Sequence, residues 1–211
     1  MRTCLLKNHS SVNEDLYQVT LQNHADYAGR HGYDIISLNR TYQEAWWGCL
    51  DWVRDALEHY DRVLTIGSDV IFARPEMSLD IFDDNAHSVF IQNEGLVYPT
   101  LNFDMVIWTT KNDPHGVEEV IKELERRKPE YENHRFGLQE GISMVAKDPA
   151  MAKYIRIMPP RSMQSAPYCG HPGSWEKGDF AVHFLGMSNQ DKLMCARHYL
   201  MTRQVLCRIR R

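Results

Sequence analysis

The sequence predicts an α/β protein with a mixed central sheet. In the first half of the chain, apolar runs of strand length alternate with segments of helical periodicity. This order favours parallel strands joined by right-handed crossovers. In the second half, strands and helices follow in a less regular order, and we therefore expect a mixed sheet flanked by helices. A chain of 211 residues has the size of a single domain of this kind.

Apolar periodicity places the elements of the first half. Strands are predicted at residues 3–6, 34–38 and 62–66, where short apolar runs occur. A first helix is predicted over residues 14–31, with Asn13 as its cap. Its inward face is formed by Leu16, Val19, Thr20, Asn23 and Tyr27. A second helix is predicted over residues 42–60, with inward residues Trp46, Cys49, Leu50, Val53 and Leu57.

The second half is interpreted in the same way. Further strands are predicted at residues 88–92, 105–109, 154–158 and 180–184. Helices are predicted at residues 114–127, 137–146 and 190–207. The segment 163–177 contains Pro167, Gly170, Pro172 and Gly173, a composition that predicts a surface loop.

Composition excludes several classes of function. The net charge of -4 gives no basic surface of the kind that nucleic-acid binding needs. The basic tail, residues 203–211, is interpreted as a solvated helix end, with membrane-surface or partner docking as the alternative. No segment approaches the length and apolarity of a membrane span. We therefore expect no nucleic-acid partner and no integral membrane segment.

The cysteines favour a reducing compartment. There are five, Cys4, Cys49, Cys169, Cys195 and Cys207, and no pair has the spacing of a zinc site. Free thiols of this kind are typical of cytoplasmic proteins. The apolar run at residues 3–6 is too short for the core of a signal peptide. If the chain is complete, we expect it to be cytoplasmic.

Two strand ends carry residues that could bind a metal. Asp69 follows the apolar strand 62–66, and His183 lies within the apolar run 180–184. A carboxylate and an imidazole are suitable ligands for a divalent cation such as manganese. Each residue alone is more consistent with a structural role, Asp69 as a turn cap and His183 as a core histidine with a hydrogen-bond partner. Together, at strand ends of one α/β sheet, they favour a metal site, because ligands bind such sheets at the carboxyl ends of strands.

Four segments resemble the GT-A glycosyltransferases, and among them the galactosyl- and xylosyltransferase family of yeast-type α-galactosyltransferases and plant xyloglucan xylosyltransferases. Residues 24–34 (HADYAGRHGYD) are similar to the helix that leads into that family's second strand. Residues 60–69 (YDRVLTIGSD) are similar to the strand that ends in a DxD motif. Residues 101–108 (LNFDMVIW) resemble the strand behind the acceptor site, and residues 178–186 (GDFAVHFLG) the C-terminal histidine motif. The segments occur in the family's order along nearly the whole chain.

The resemblance implies a single GT-A-type domain with a metal site. Its nucleotide-binding, Rossmann-like half would be residues 1–72, and its acceptor half would be residues 73–211, including the C-terminal histidine segment. Asp69 and His183 would hold Mn²⁺ or Mg²⁺, which grips the diphosphate of a nucleotide-sugar donor. Gly67 stands where the family has the first aspartate of DxD, and this departure leaves the need for a metal open. Gly67 and Ser68 would instead leave room for the backbone to approach the nucleotide.

The resemblance also implies further site residues. Gln139 and Glu140 would lie near the transferred sugar, although a solvated or capping glutamate is an equal alternative. Asp104, together with Asn102, would line the acceptor side. The nucleotide would be contacted by Asn8, Ser10, Gln164, Gly186 and Lys192. For Lys192 the alternative is an ordinary surface lysine.

The resemblance therefore implies a metal-assisted glycosyltransferase that uses a nucleotide sugar, most simply a UDP-sugar, and retains the anomeric configuration as that family does. Its partners would be that donor and a glycan or another hydroxyl compound. A catalytically degenerate sugar-nucleotide-binding protein is the first alternative, because Gly67 removes an expected acid. A nucleotidyltransferase is the second, although residues 7–11 lack the glycine-rich basic signature of that class.

Overall fold

A computed structural model describes residues 1–9, 14–39, 47–93, 101–134, 136–166 and 175–202. The architecture is α/β, with one six-stranded mixed sheet flanked by helices. Within these ranges no helix has the length and apolar character needed to cross a membrane. Predictions that concern Ser10, Trp46 and the tail 203–211 lie outside the described residues.

The large sheet has the strand order β2-β1-β3-β6-β5-β7. Strand β1 pairs in parallel with both β2 and β3, as the alternating first half predicts. Strand β6 runs antiparallel to β3 and β5, while β5 and β7 are parallel. The strands are β1 (Thr3–His9), β2 (Asp34–Asn39), β3 (Arg62–Ile66), β5 (Val89–Asn93), β6 (Leu101–Thr109) and β7 (Ile155–Met158). The sheet is therefore mixed, as expected.

A two-stranded ribbon lies beyond the end of β3. Strand β4 (Val70–Phe72) pairs antiparallel with β8 (Ala181–His183), and Val70 lies opposite His183. Both strands are completely buried. The ribbon brings the segment after β3 next to a segment more than a hundred residues further along the chain, which positions the candidate site.

Six α-helices and one short 3-10 helix, Leu79–Phe82, are described. The α-helices are α1 (Glu14–His31), α2 (Cys49–Leu57), α3 (Gly116–Tyr131), α4 (Gly137–Val145), α5 (Pro149–Ala152) and α6 (Asn189–Thr202). Helix α1 ends at Gly32, whose φ of 66° lies in the left-handed region that glycine adopts readily. The helices bury apolar faces against the sheet, which supplies most of their stability.

The core has two main layers, one on each face of the large sheet. On one face, Val63 and Trp108 pack with α2, α3 and α4. On the other face, Leu64 and Ile107 pack with Tyr27 of α1 and with Phe72 of the ribbon. A third cluster joins the ribbon to α1 and α6 through Leu16, Ile71, Val182, Phe184, Cys195, Ala196 and Tyr199. The ribbon is thus fixed from several sides.

The predicted surface loop over residues 163–177 is wrong in its first part. Met163, Gln164 and Ser165 are buried. The side chain of Gln92 accepts hydrogen bonds from the backbone N–H groups of Met163 and Gln164, at 2.7 and 2.9 Å. Ser165 forms a parallel bridge with Val182. The first residues of the segment therefore run beside the buried ribbon, and its prolines and glycines lie at positions 167–174, outside the described residues.

Candidate metal centre

Asp69 lies in the turn that joins β3 to β4. Strand β3 ends at Ile66, and Gly67, Ser68 and Asp69 lead into the ribbon. The Asp69 carbonyl accepts a hydrogen bond of 2.9 Å from the Phe184 N–H, which ties the turn to the end of β8. The carboxylate of Asp69 therefore lies at the carboxyl end of the parallel strands, the usual ligand-binding edge of such a sheet.

Two further ligand-type side chains meet Asp69 there. His183 Nε2 lies 3.5 Å from Asp69 Oδ2 and 3.4 Å from Asp104 Oδ2. The imidazole is 3% exposed, whereas the Asp104 carboxylate is 41% exposed and opens the cluster towards solvent. The ligand atoms of Asp69, Asp104 and His183 all lie within 4.8 Å of one another. The structure thus brings together the two predicted ligands and adds Asp104.

Asn102 orients two members of this cluster. Its Oδ1 accepts a hydrogen bond of 2.8 Å from the Asp104 N–H. Its Nδ2 lies 3.3 Å from His183 Nδ1. The contact at Nδ1 leaves Nε2 of His183 facing the two carboxylates. Because an amide nitrogen only donates, this contact is a hydrogen bond only while Nδ1 is unprotonated, with the ring proton on Nε2 towards the two carboxylates.

Lys192 of α6 supplies a second cationic group. Its Nζ donates a hydrogen bond of 2.5 Å to Asp69 Oδ2, and its side chain is 18% exposed. Lys192 is therefore not an ordinary surface lysine. Two carboxylates face one ammonium and one imidazole, so the cluster can be electrically balanced when His183 is protonated.

The pKa values of the cluster follow from this balance. Burial alone would raise the pKa of Asp69, but His183 and Lys192 outweigh it and hold that pKa far below its usual range. Burial alone would lower the pKa of His183, but Asp69 and Asp104 raise it to about 9. The pKa of Asp104 is raised by desolvation and by the charge of Asp69, against the opposing effect of His183. The metal-free site therefore holds a proton on His183 at neutral pH.

Gly67 is directly beside Asp104. The Gly67 N–H donates a hydrogen bond of 2.8 Å to the Asp104 carbonyl. A Cβ atom at position 67 would lie 2.9 Å from Asp104 Oδ1 and 3.1 Å from Asp69 Oδ1. Since real Cβ atoms do not approach that closely, a side chain at position 67 and the observed Asp104 carboxylate exclude each other. The acid that the resemblance to a DxD motif leads one to expect at position 67 is absent, and the Asp104 carboxylate of the neighbouring strand occupies that space.

The donor set fits a divalent cation. Two carboxylate oxygens and an imidazole nitrogen are suitable ligands for Mn²⁺. A set of oxygen atoms alone would suit Mg²⁺ equally well, so the histidine favours manganese. The cluster can hold a metal, and its side chains leave one open side, at Asp104.

The structure places the other predicted residues as follows. Asn8 lies in β1. In the turn after β3, the Ser68 carbonyl accepts a hydrogen bond of 2.9 Å from Thr20 Oγ1. Gly186 follows the ribbon with a φ of 70°, a conformation that favours glycine. Gln139 and Glu140 lie on α4, and Glu140 is not a member of the metal-ligand cluster.

Gln164 has a buried side-chain amide. It is 2% exposed, and within the described part of the chain neither its Oε1 nor its Nε2 has a hydrogen-bond partner. Buried amides normally have partners, because leaving one without them costs about 1–3 kcal/mol. A polar ligand group would supply those partners.

Sequence reasoning missed the role of Asp104 as a ligand-type residue and of Lys7 as a buried cation. The resemblance of residues 101–108 to the acceptor strand instead predicts that Asp104 lies on the acceptor side. The signal that could have found it is the register of β3 and β6, in which Ile66 pairs with Met105. That register places position 104 beside position 67 at the same sheet edge.

Solved structures that are similar to this chain include glycosyltransferases. The chain superimposes on a glycosyltransferase involved in the glycosylation of the major capsid of PBCV-1 with a TM-score of 0.73 and 15% identity, over 94% of this chain and 100% of that one. It also superimposes on the glycosyltransferase GlyE of Streptococcus pneumoniae TIGR4 with a TM-score of 0.56 and 13% identity, over 100% of this chain and 67% of that one. The apo form of GlyE gives a TM-score of 0.57. The fold is therefore one that glycosyltransferases adopt.

Sequence comparison gives no closer assignment. No protein-family model matches the chain. No curated protein matches it in sequence either. The resemblance to galactosyl- and xylosyltransferases accordingly remains a prediction.

Proposed function

We propose that this protein is a metal-assisted glycosyltransferase that moves a sugar from a UDP-sugar, or another nucleotide sugar, to a hydroxyl group of a glycan or similar acceptor. The observation that carries the proposal is the meeting of Asp69, Asp104 and His183 at the carboxyl edge of the parallel strands. The fold shared with known glycosyltransferases supports it.

In this proposal the metal is held by Asp69, Asp104 and Nε2 of His183. Bound Mn²⁺ or Mg²⁺ would neutralise negative charge on the departing nucleoside diphosphate. His183 would have to present an unprotonated Nε2 to bind the metal. Asp104, as the exposed member of the set, faces the side from which the donor enters.

Lys192 would contact the donor phosphates. Its ammonium already lies within the site, 2.5 Å from Asp69. With a cation bound to Asp69, the ammonium would be free to form a charge-assisted hydrogen bond with a phosphate oxygen. The remaining nucleotide contacts are proposed for Asn8, Ser10, Ser68 and Gly186, within the nucleotide-binding half, residues 1–72, and the histidine segment.

The sugar would lie beyond the diphosphate, near Gln139, Glu140 and Gln164. The unpartnered amide of Gln164 can donate to and accept from sugar hydroxyl groups. Glu140 would orient the donor or stabilise positive charge at the anomeric carbon. Retention by front-face attack, assisted by the leaving group, is proposed from the resemblance to the galactosyl- and xylosyltransferase family.

A sugar-nucleotide-binding protein without catalysis is the second candidate, and the absence of an acid at Gly67 favours it. The Asp104 carboxylate restores a second acid at that place, which supports the enzyme. A donor-hydrolysis screen separates the two. Tight UDP binding with no turnover of any nucleotide sugar would favour the binding protein.

Calorimetric titration with UDP, with and without Mn²⁺, tests the proposal. We expect UDP to bind more tightly with Mn²⁺, and Asp69→Ala and His183→Ala to remove that difference. Asp55→Asn, which removes an exposed carboxylate on α2, is the matched control and should keep it. Equal UDP affinity with and without Mn²⁺ in the wild-type protein would refute metal-assisted donor binding.

A further inference from the structure

A buried lysine lies beneath the turn that carries Asp69. Lys7 of β1 has a solvent exposure of 0%. Its Nζ donates a hydrogen bond of 2.8 Å to Thr20 Oγ1 and lies 3.1 Å from His24 Nδ1, both on α1. It also lies 4.9 Å from the centre of the Tyr17 ring, a cation–π distance. Burying a cation without partners is costly, and these contacts offset that cost.

Thr20 and His24 of α1 also form hydrogen bonds with the backbone beside Asp69. Thr20 Oγ1 lies 2.9 Å from the Ser68 carbonyl oxygen, the closest of the three carbonyls within its reach. His24 Nε2 lies 2.7 Å from the Val70 carbonyl oxygen. Ser68 and Val70 are the two neighbours of Asp69 in sequence. The carbonyls on either side of Asp69 are thus held by two side chains that share one lysine.

The hydrogen-bond directions are determined by chemistry. A carbonyl oxygen only accepts, so His24 Nε2 carries the proton and donates to Val70. Burial, and then the nearby Lys7, hold the pKa of His24 well below its usual range, so the ring is neutral and Nδ1 accepts from Lys7. Burial lowers the pKa of Lys7 to about 7, against the effect of Asp69. Both contacts survive in either state of Lys7, because a neutral amine still has two N–H donors.

We infer that Lys7, Thr20 and His24 form a buried clamp that positions the Asp69 carboxylate for metal binding. The inference rests on the proposed metal site and adds three positioning residues to it. Lys7 fixes the hydroxyl of Thr20 and the tautomer of His24, and these in turn fix the Ser68–Asp69 peptide group and the Val70–Ile71 peptide group, which lies one residue beyond Asp69. Supporting groups outside the ligand set commonly change metal affinity by about 10- to 100-fold.

The direct test compares two hydroxyl deletions on α1. Thr20→Val removes the hydroxyl that holds Ser68. Tyr27→Phe, the matched control, removes a hydroxyl that bonds the Met77 carbonyl at 2.9 Å, eight residues from Asp69. Mn²⁺ affinity is measured by calorimetry in the absence of nucleotide, and thermal unfolding is measured on the same samples. We expect Thr20→Val to weaken Mn²⁺ binding about tenfold, and Thr20→Ser and Tyr27→Phe to leave it near the wild-type value.

Lys7→Met provides a second test, because a positioning role and a purely electrostatic role of Lys7 predict changes of opposite sign in Mn²⁺ affinity. Removing a cation close to Asp69 would by electrostatics alone tighten Mn²⁺ binding. Loss of the clamp weakens it instead, since Thr20 and His24 lose their shared donor. Any one of three results would overturn the clamp: wild-type Mn²⁺ affinity in Thr20→Val, equal weakening in Tyr27→Phe, or tighter binding in Lys7→Met. A wild-type protein that binds no Mn²⁺ would overturn the metal site itself, which is a separate result.

Discussion

The carboxylate of Asp104 occupies the space into which a side chain at Gly67 would project. A Cβ atom at Gly67 would lie 2.9 Å from Asp104 Oδ1. The two residues are neighbours across the β3–β6 pair, and the Gly67 N–H bonds the Asp104 carbonyl. A site that lacks the first acid of DxD thereby keeps two carboxylates, one from the turn after β3 and one from β6.

Gly67→Ala should displace the Asp104 carboxylate and weaken Mn²⁺ binding about tenfold, because the new methyl group overlaps Oδ1. Gly29→Ala on α1 is the control, since nothing lies within 4 Å of its Cβ position. That control should leave metal affinity unchanged and stabilise the helix by about 1 kcal/mol. Calorimetry and thermal unfolding measure both effects. Unchanged affinity in Gly67→Ala would show that Asp104 is not held at the metal.

Moving the second acid from position 104 to position 67 tests whether the two positions are equivalent for metal binding. Asp104→Ala should weaken Mn²⁺ binding by about 100-fold, since it removes one ligand. Adding Gly67→Asp in that background places a carboxylate in the vacated space and should recover at least about tenfold of the loss. Calorimetric titrations of the single and double variants decide the matter. A double variant no better than Asp104→Ala would argue that the position of the second acid cannot be exchanged.

Lys192→Met should separate metal binding from nucleotide binding. Without its competing ammonium, Asp69 is freed and Mn²⁺ alone should bind about threefold more tightly or better. UDP in the presence of Mn²⁺ should bind more weakly, because a phosphate contact is lost. Lys122→Met on the exposed face of α3 is the control. The two shifts have opposite signs, so a variant in which both affinities fall would contradict the proposed exchange of partners by Lys192.

Mn²⁺ binding should depend on pH through His183. Its pKa of about 9 means that the metal-free site is protonated at neutral pH, and the metal binds only the deprotonated ring. Affinity should therefore rise with pH, by up to about tenfold for each unit between pH 6 and 8, while Asp69 stays ionised throughout. Calorimetry in two buffers of different ionisation enthalpy would report the proton released. Binding without proton release at pH 7.5 would exclude His183 as a ligand.

The sequence predicted most of the fold because its apolar periodicities are strong. The run Arg62–Ile66 is completely buried, and the helix over residues 14–31 has the predicted bounds. Strand β4 was missed because three residues show no periodicity. Strand β1 was ended at residue 6, whereas it continues to His9 with Lys7 completely buried. A charged residue argues for a surface position unless its partners are known, and these partners lie on α1.

The candidate site was predicted in part for the same reason. Asp69 and His183 each end or lie within an apolar run, which local sequence reveals. The position of Asp104 depends on the antiparallel register of β3 and β6, and the register is set by tertiary pairing rather than by local sequence. Thr20 was predicted to lie on the inward face of α1. The contact of that face with the backbone beside Asp69 is visible only in the folded structure.

The central claim is that Asp69, Asp104 and His183 hold a divalent cation against the diphosphate of a nucleotide. A crystal soaked with MnCl₂ and UDP, measured with anomalous scattering at the manganese edge, tests it most directly. We expect one strong anomalous peak within about 2.0–2.3 Å of all three ligand atoms, with phosphate oxygens completing the coordination. Ordered UDP in the site with no anomalous peak between these three residues would contradict the account.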